Sequence, residues 1–272
     1  MSDINPSAPG GSASALATTR RTVRAIREFL RDRRDKGKRL EFLQRVVREI
    51  WPGYRLTWPG SDWWDDEAFN AYLRTSGEAE GLNTHNRFTL AQLLRLVSHV
   101  PGDTAECGVY RGASSRLILM ANRASEASKT HHLFDSFEGL SRPAGVDGEH
   151  WSGGDLRCGI GEVRNNLREF DADLEFHPGW IPGRFDDVAD RRFSFVHIDV
   201  DLRDPTRDSL EFFYPRMSEG GIIVCDDYGS AVCPGATEAC DRFLHDRPEA
   251  MIAMPAAGGF LIRGCPVADR FW

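Results

Sequence analysis

Phe195-Val-His-Ile-Asp199-Val-Asp201 and Ile222-Ile-Val-Cys-Asp226-Asp227 are two apolar runs that each end abruptly in acid. Between them Leu210, Phe213, Tyr214 and Met217 recur at i, i+3, i+4 and i+7, the period of a one-faced helix. Asp204 followed by Pro205 predicts the start of that helix, and Gly220-Gly221 predicts its end. Strand, helix and strand at this spacing imply two parallel strands whose carboxyl ends share one edge. Open parallel sheets bind ligands outside that edge, so Asp199, Asp201, Asp226 and Asp227 are expected at one mouth. Carboxylates that close repel unless a cation lies among them, and hard oxygen ligands suit Mg²⁺, Ca²⁺ or Mn²⁺ better than zinc. One strand-end Asp is ordinarily a solvated end or a cap. Two acid clusters on neighbouring strands favour a metal or catalytic site.

The strands on either side extend the same pattern. Asp103-Thr-Ala-Glu106-Cys-Gly108-Val-Tyr110-Arg-Gly112-Ala-Ser114 reads as strand, glycine turn and helix start. Glycine lets a backbone approach a ligand, and a helix N-terminus offers free N–H groups to an anion. The turn is neither GxGxxG nor a P-loop. One helix later, His131-His-Leu-Phe-Asp135-Ser136 again ends in acid, the position that accepts ribose hydroxyls in nucleotide-binding βαβ units. His131 and His132 begin this strand at the far edge from the mouth and read as structural. A strand at Leu174–Trp180 and a terminal antiparallel hairpin, Ala250–Ala256 with Gly259–Arg263, complete an α/β, doubly wound, mostly parallel sheet.

Upstream, residues 1–17 are Ser/Ala/Gly/Pro-rich and expected to be disordered. Residues 18–87 read as a helical and aromatic cap for substrate or oligomer contacts, and 88–272 as the main domain. Val23, Ile26, Phe29 and Leu30 mark an amphipathic basic helix within Thr18–Arg39, and a second helix is expected over Leu40–Ile50. Trp51, Tyr54, Trp58, Trp63, Trp64 and Phe69 pin that region to a core or line a binding surface. Helices are also expected over Asp66–Ser76 and Phe88–Val100. The Gly/Pro-rich stretch Glu138–Leu156, with Asp147, His150, Trp151 and Asp155, is a candidate lid. A net charge of −7 argues against a nucleic-acid partner, and no run has the apolar length of a membrane span. Six cysteines without CxxC spacing and no signal-type segment lead us to expect reduced thiols in a cytoplasmic protein. The basic helix and the aromatics lead us to expect a homo-oligomer.

AECGVYRGASS, HLFDSFEGL, HPGWIP, FVHIDVDLRDPTRDSLEFFYP and GGIIVCDDYG, in this order over Phe88–His245, resemble the macrocin O-methyltransferase family. The Glu106-x-Gly-x-Tyr-x-Gly112 turn is also similar to that of metal-dependent catechol O-methyltransferases. The resemblance implies a Rossmann-like fold using S-adenosyl-L-methionine and Mg²⁺ to methylate a sugar or phenol hydroxyl of a small natural product. It places Glu106, Gly108, Tyr110, Gly112 and Ser114 around the methionine part of the cofactor. Asp135 then holds the ribose hydroxyls, with Ser136 beside it, and Gly179, Trp180 and Ile181 flank the adenine. Asp199, Asp226 and Asp227 bind the metal, and Asp199 or Asp201 is the catalytic base, with His150 a further candidate. The catechol enzymes' lysine base corresponds to Leu202 and is missing, and Arg203 stands where the family usually has Tyr. Asp155 is a secondary cofactor candidate. Two rival readings are a nicotinamide-dependent oxidoreductase or epimerase of sugar nucleotides, and a non-catalytic cofactor-binding subunit. The first lacks GxGxxG and a Tyr-x-x-x-Lys pair; the second has no need of the acids.

Overall fold

A computed structural model describes residues 23–24, 26–27, 29–31, 34–51, 53, 62–79, 83–255 and 257–268. The tail at 1–17 and residues 52 and 54–61 of the aromatic segment, including Tyr54 and Trp58, lie outside them. The chain divides into two compact units, Met1–Asp65 and Asp66–Trp272. The first holds α1 (Lys36–Ile50), which starts earlier than Leu40 because the Asp35 side chain accepts from the Lys38 amide at 3.0 Å. The described residues of 23–31 are helical, and Phe29 stacks on Phe42 with centroids 4.7 Å apart.

The second unit is built on a seven-stranded sheet. Its strands are β1 (Asp103–Cys107), β2 (His131–Asp135), β3 (Leu174–Pro178), β4 (Phe193–Ile198), β5 (Met217–Cys225), β6 (Ile252–Ala253) and β7 (Gly259–Ile262). They lie in the order β3-β2-β1-β4-β5-β7-β6, with β7 antiparallel to both β5 and β6 and the other pairings parallel. This is the mostly parallel sheet with antiparallel end strands that the alternating pattern implies. Order reverses between β1 and β4, which places the switch point, and so the ligand crevice, at their carboxyl ends.

Both faces are covered, as strand alternation requires. Phe195, Ile222 and Val224 pack with α2 (Glu67–Thr75), α3 (Thr84–Leu96) and α4 (Ala113–Arg123) through Tyr72, Leu73, Leu90, Leu94 and Ile118. The intervening Val196, Ile223 and Cys225 pack with Leu210 and Phe213 of α6 (Arg203–Phe213) and Ala236 and Cys240 of α7 (Pro234–Leu244). A third cluster joins Leu133 to Val163 of α5 (Ile160–Asn166) and to Leu167. Both ends of the crossover helix differ from expectation. The crossover helix starts at Arg203, because the Asp147 carboxylate, distant in sequence, accepts the Arg203 amide at 2.7 Å. Met217 is buried as the first residue of β5, and Gly220-Gly221 lies inside that strand. Pairing jumps from Phe193–Met217 to Phe195–Ile222, and Gly220, at φ +77°, absorbs the extra length.

Candidate active site

The glycine turn after β1 is shaped first by the chain itself. Gly108 has φ +83°, and a Cβ there would sit 1.8 Å from the Asp199 carbonyl oxygen. The tips of β1 and β4 therefore touch backbone to backbone, and the Asp199 amide bonds the Cys107 carbonyl at 2.8 Å. Gly112 enters α4 in the left-handed conformation, and the Tyr72 hydroxyl donates to the Ala113 carbonyl at 2.9 Å. Asp135 reaches this turn from the tip of β2. Its Oδ2 accepts the Val109 amide at 2.7 Å and the Tyr110 amide at 3.3 Å, while Oδ1 accepts the Phe137 amide at 2.6 Å. Three of the four acceptor directions of the carboxylate are thus used by the backbone, leaving one.

Glu106 is buried, not presented at the mouth. His197 Nδ1 contacts its Oε1 at 2.9 Å, and Ser115 Oγ donates to Oε2. Burial alone would raise this carboxyl, but His131 and His197 outweigh it and hold it at about 2. Burial likewise opposes charge on His197, yet Asp226 and Glu106 raise it to about 10. His197 Nε2 lies 3.6 Å from Asp226 Oδ1. A buried imidazolium therefore bridges the sheet interior and the acid cluster.

The four aspartates meet at the mouth as expected, in an unequal arrangement. Asp227 Oδ2 accepts the Asp201 amide at 2.8 Å, and Cys233 Sγ donates to Asp201 Oδ1 at 3.6 Å. The ligand atoms of Asp201, Asp227 and Cys233 all lie within 4.8 Å of one another, whereas Asp199, Asp226 and Asp227 are not gathered that tightly. Burial, then Asp226 and Asp227, push the Asp199 carboxyl well up. Burial and Asp201 raise Asp227 to about 8, and burial and Asp199 raise Asp201 to about 7. Asp226 goes the other way: burial is outweighed by His197, Arg87 and Asn86. Acids that drive one another toward protonation fit a hard divalent cation. The Cys233 thiol, which burial keeps protonated, is no ligand for one. Asp201 has φ +60°, a strained backbone of the kind held at functional sites.

The other expected residues surround this mouth. Gly179 donates to the Asp135 carbonyl at 2.9 Å, which places the Gly179–Ile181 turn beside Asp135, and Trp180 is 47% exposed. Ser114 is buried in the first turn of α4. Ser136 Oγ donates to the Gly139 carbonyl at 3.0 Å and so serves its own loop. Asp155 likewise accepts the Ser152 amide at 2.8 Å, a local turn. The candidate lid is pinned on the acid side. Asp147 is buried against Arg203, and Trp151 Nε1 donates to Cys233 Sγ at 3.3 Å. His150 is exposed and stands edge-on to Trp151.

The macrocin O-methyltransferase family model (TylF) matches residues 85–256, which hold the sheet from β1 through β6 and both acid clusters. The chain belongs to this family. Curated relatives of this macrocin-type chain are O-methyltransferases. One, from Streptomyces olivaceus, acts on a dimethoxyrhamnosyl-tetracenomycin and is 33% identical over 162 residues, 56% of this chain and 59% of its own. Another, demethyldecarbamoylnovobiocin O-methyltransferase of Streptomyces niveus, is 28% identical over 198 residues, 65% of this chain and 74% of its own. The solved structure of the O-methyltransferase NovP superposes with a TM-score of 0.53 at 29% identity, covering 70% of this chain and 87% of that one. The calicheamicin methyltransferase CalS11 shares the fold, with a TM-score of 0.63 at 18% identity over 97% of this chain and all of that one.

Sequence reading of this family member missed two residues of α3. Arg87 is 5% exposed, and its Nε and Nη1 have no hydrogen-bond partner. Burial works against its charge, but Asp199 and Asp226 raise it. Asn86 Nδ2 stands 3.4 Å from Asp226 Oδ2. A signal existed: Arg87 lies three and seven residues before Leu90 and Leu94, on the buried face of the helix, where a charge needs a partner. Cys233 carried none.

Proposed function

We propose that this chain transfers a methyl group from S-adenosyl-L-methionine to a hydroxyl of a sugar or phenol on a small natural product, with Mg²⁺ held by Asp199, Asp226 and Asp227. The observation that carries the reading is the buried acid cluster in backbone contact with the glycine turn, Gly108 against Asp199. Rhamnosyl and novobiocin-type substrates in the names of relatives support the acceptor class.

In this reading the turn from Gly108 to Gly112 and Ser114 receives the methionine end, Asp135 offers its remaining acceptor direction to the ribose, and the Gly179–Ile181 turn borders the adenine. A divalent cation supplies the positive charge that lets an alcohol or phenol lose its proton near neutral pH. Asp199, or Asp201 beside it, takes that proton. Asp201, whose carboxyl burial and Asp199 raise to about 7, is a better acceptor than an ordinary Asp. S-adenosyl-L-methionine held by the glycine turn and Asp135 would supply the methyl group to the hydroxyl oxygen and leave as a neutral thioether. Alignment is the main requirement, and the backbone contact of the two tips supports this reading.

The test is methyl transfer from labelled cofactor to a panel of glycosylated polyketides, aminocoumarins and sugar nucleotides, with and without EDTA. Asp226→Asn should abolish a Mg²⁺-restored activity while leaving S-adenosylhomocysteine binding, by calorimetry, within about threefold. Full activity in EDTA would remove the metal from the account. Absence of S-adenosylhomocysteine binding, with tight NAD binding instead, would overturn it altogether.

A further inference from the structure

We propose that His132, Glu175 and His177 form a second metal site, for a zinc-class divalent ion, where β2 meets the edge strand β3. Their ligand atoms lie within 4.8 Å of one another. Glu175 and His177 are alternate residues of β3 and share a face, and His132 is the partner of Glu175 across the ladder. His132 Nδ1 is 3.1 Å from His177 Nε2 and 3.5 Å from Glu175 Oε2.

The other nitrogen of each ring faces a carboxylate. His177 Nδ1 faces Asp187 Oδ2 at 2.9 Å, and His132 Nε2 faces Asp103 Oδ2 at 3.4 Å. Arg184 holds Asp187 at 2.7 Å, and the Thr130 amide donates to Asp103 at 3.0 Å. With the hydrogen of each ring on its outward nitrogen, toward that carboxylate, each inward nitrogen carries a lone pair. The inward nitrogens are left as two lone pairs facing each other at 3.1 Å, with both rings buried. Neutral imidazoles cannot hydrogen-bond in that arrangement. Something positive belongs between them.

A proton or a metal ion would meet that need, and the third ligand favours the metal. Two imidazole nitrogens on a tetrahedral zinc, each about 2.0–2.1 Å from it, stand about 3.3 Å apart. Carboxylates on the outward nitrogens are the second shell that metal-bound histidines use. A proton would leave Glu175 without a role, yet this side chain is 55% exposed on the edge strand, where an ion can enter from solvent. Phe134, stacked on His177 at 4.4 Å, and Phe193, edge-on to His132, hold the rings in place. His177 and Asp187 bracket the turn through Gly179 and Ile181, so an ion here fixes both ends of that segment. The site does not depend on the methyl-transfer reading.

The full chain, stripped with chelator and returned to excess Mg²⁺ to occupy the acid cluster, would be titrated with Co²⁺. One equivalent should bind with the visible bands of low-coordinate cobalt and be displaced by Zn²⁺ but not by further Mg²⁺. Glu175→Gln changes an exposed side chain and should weaken binding about tenfold or more. His177→Gln should abolish it. Should His177→Gln not fold, Glu175→Gln decides. The proposal is overturned by no binding up to millimolar Co²⁺, by binding that Glu175→Gln leaves unchanged, or by ring-nitrogen NMR in the presence of Zn²⁺ showing a proton on an inward nitrogen.

Discussion

Glu106→Gln separates two roles for one residue. The family resemblance puts Glu106 against the cofactor; the structure puts it 1% exposed, in contact with a His197 charged in the fold. A Gln side chain keeps the volume and one acceptor but loses the charge, and its amide can turn a donor toward His197. The imidazolium is then left with Asp226, at 3.6 Å, and the weaker influence of Asp199. Removing one partner of a buried pair costs about 3–5 kcal/mol. At ~2–4 °C per kcal/mol for a unit of this size, Tm should fall by roughly 6–20 °C. Thermal melts by circular dichroism read the shift, and calorimetry reads S-adenosylhomocysteine affinity on folded protein at low temperature. His197→Gln and the double variant complete a cycle, with a coupling of about 2–3 kcal/mol expected. A variant with unchanged Tm and a large loss of cofactor affinity refutes the buried-pair reasoning and restores Glu106 to the binding surface.

Gly108→Ala forces a Cβ into the Asp199 carbonyl and should cost more than about 1 kcal/mol in urea melts while weakening S-adenosylhomocysteine binding. Asp147→Ala removes the acceptor of the Arg203 amide; a loss of ~1–2 kcal/mol and faster proteolysis within 138–156 should follow. Arg87→Met removes the buried cation near Asp199 and Asp226, so its Tm deficit in EDTA should shrink when Mg²⁺ is added. Glu249 is buried and accepts from Tyr214 at 2.7 Å, Arg263 at 2.8 Å and the Gly264 amide at 2.8 Å. Burial is outweighed by these bonds and its carboxyl is held low. Its stabilisation is therefore present above the unfolded value near 4.5 and lost as pH falls through the folded one. Glu249→Gln should flatten the acid limb of a urea-midpoint profile between pH 5 and 3.

The sheet was legible because apolar runs, glycine breaks and terminal acids change together at each strand end. Asp199, Asp201, Asp226 and Asp227 could be placed at one mouth by topology alone. What each carboxylate touches could not. Asp135 is taken up by the Val109, Tyr110 and Phe137 amides, a consequence of turn geometry that no periodicity carries. Cys233 and Asp147 come to the acids along loops, whose paths depend on long-range contacts such as Trp151 with Cys233. Met217 fits a helical period by coincidence of spacing; its place in β5 follows from pairing with Phe193. Arg87 was the readable miss, a charge on a helix face otherwise made of leucine.

The contact between Gly108 and Asp199 carries a consequence for how such an enzyme diversifies. The separation between the turn after β1 and the main chain of Asp199 at the tip of β4 is fixed by main-chain atoms, which no side-chain rotamer can lengthen. In the proposed reaction, a change of acceptor is not met by moving these two tips apart. New substrates must instead be fitted by reshaping the surfaces around an invariant gap, so variation in this lineage should collect in the walls and leave the two tips alone.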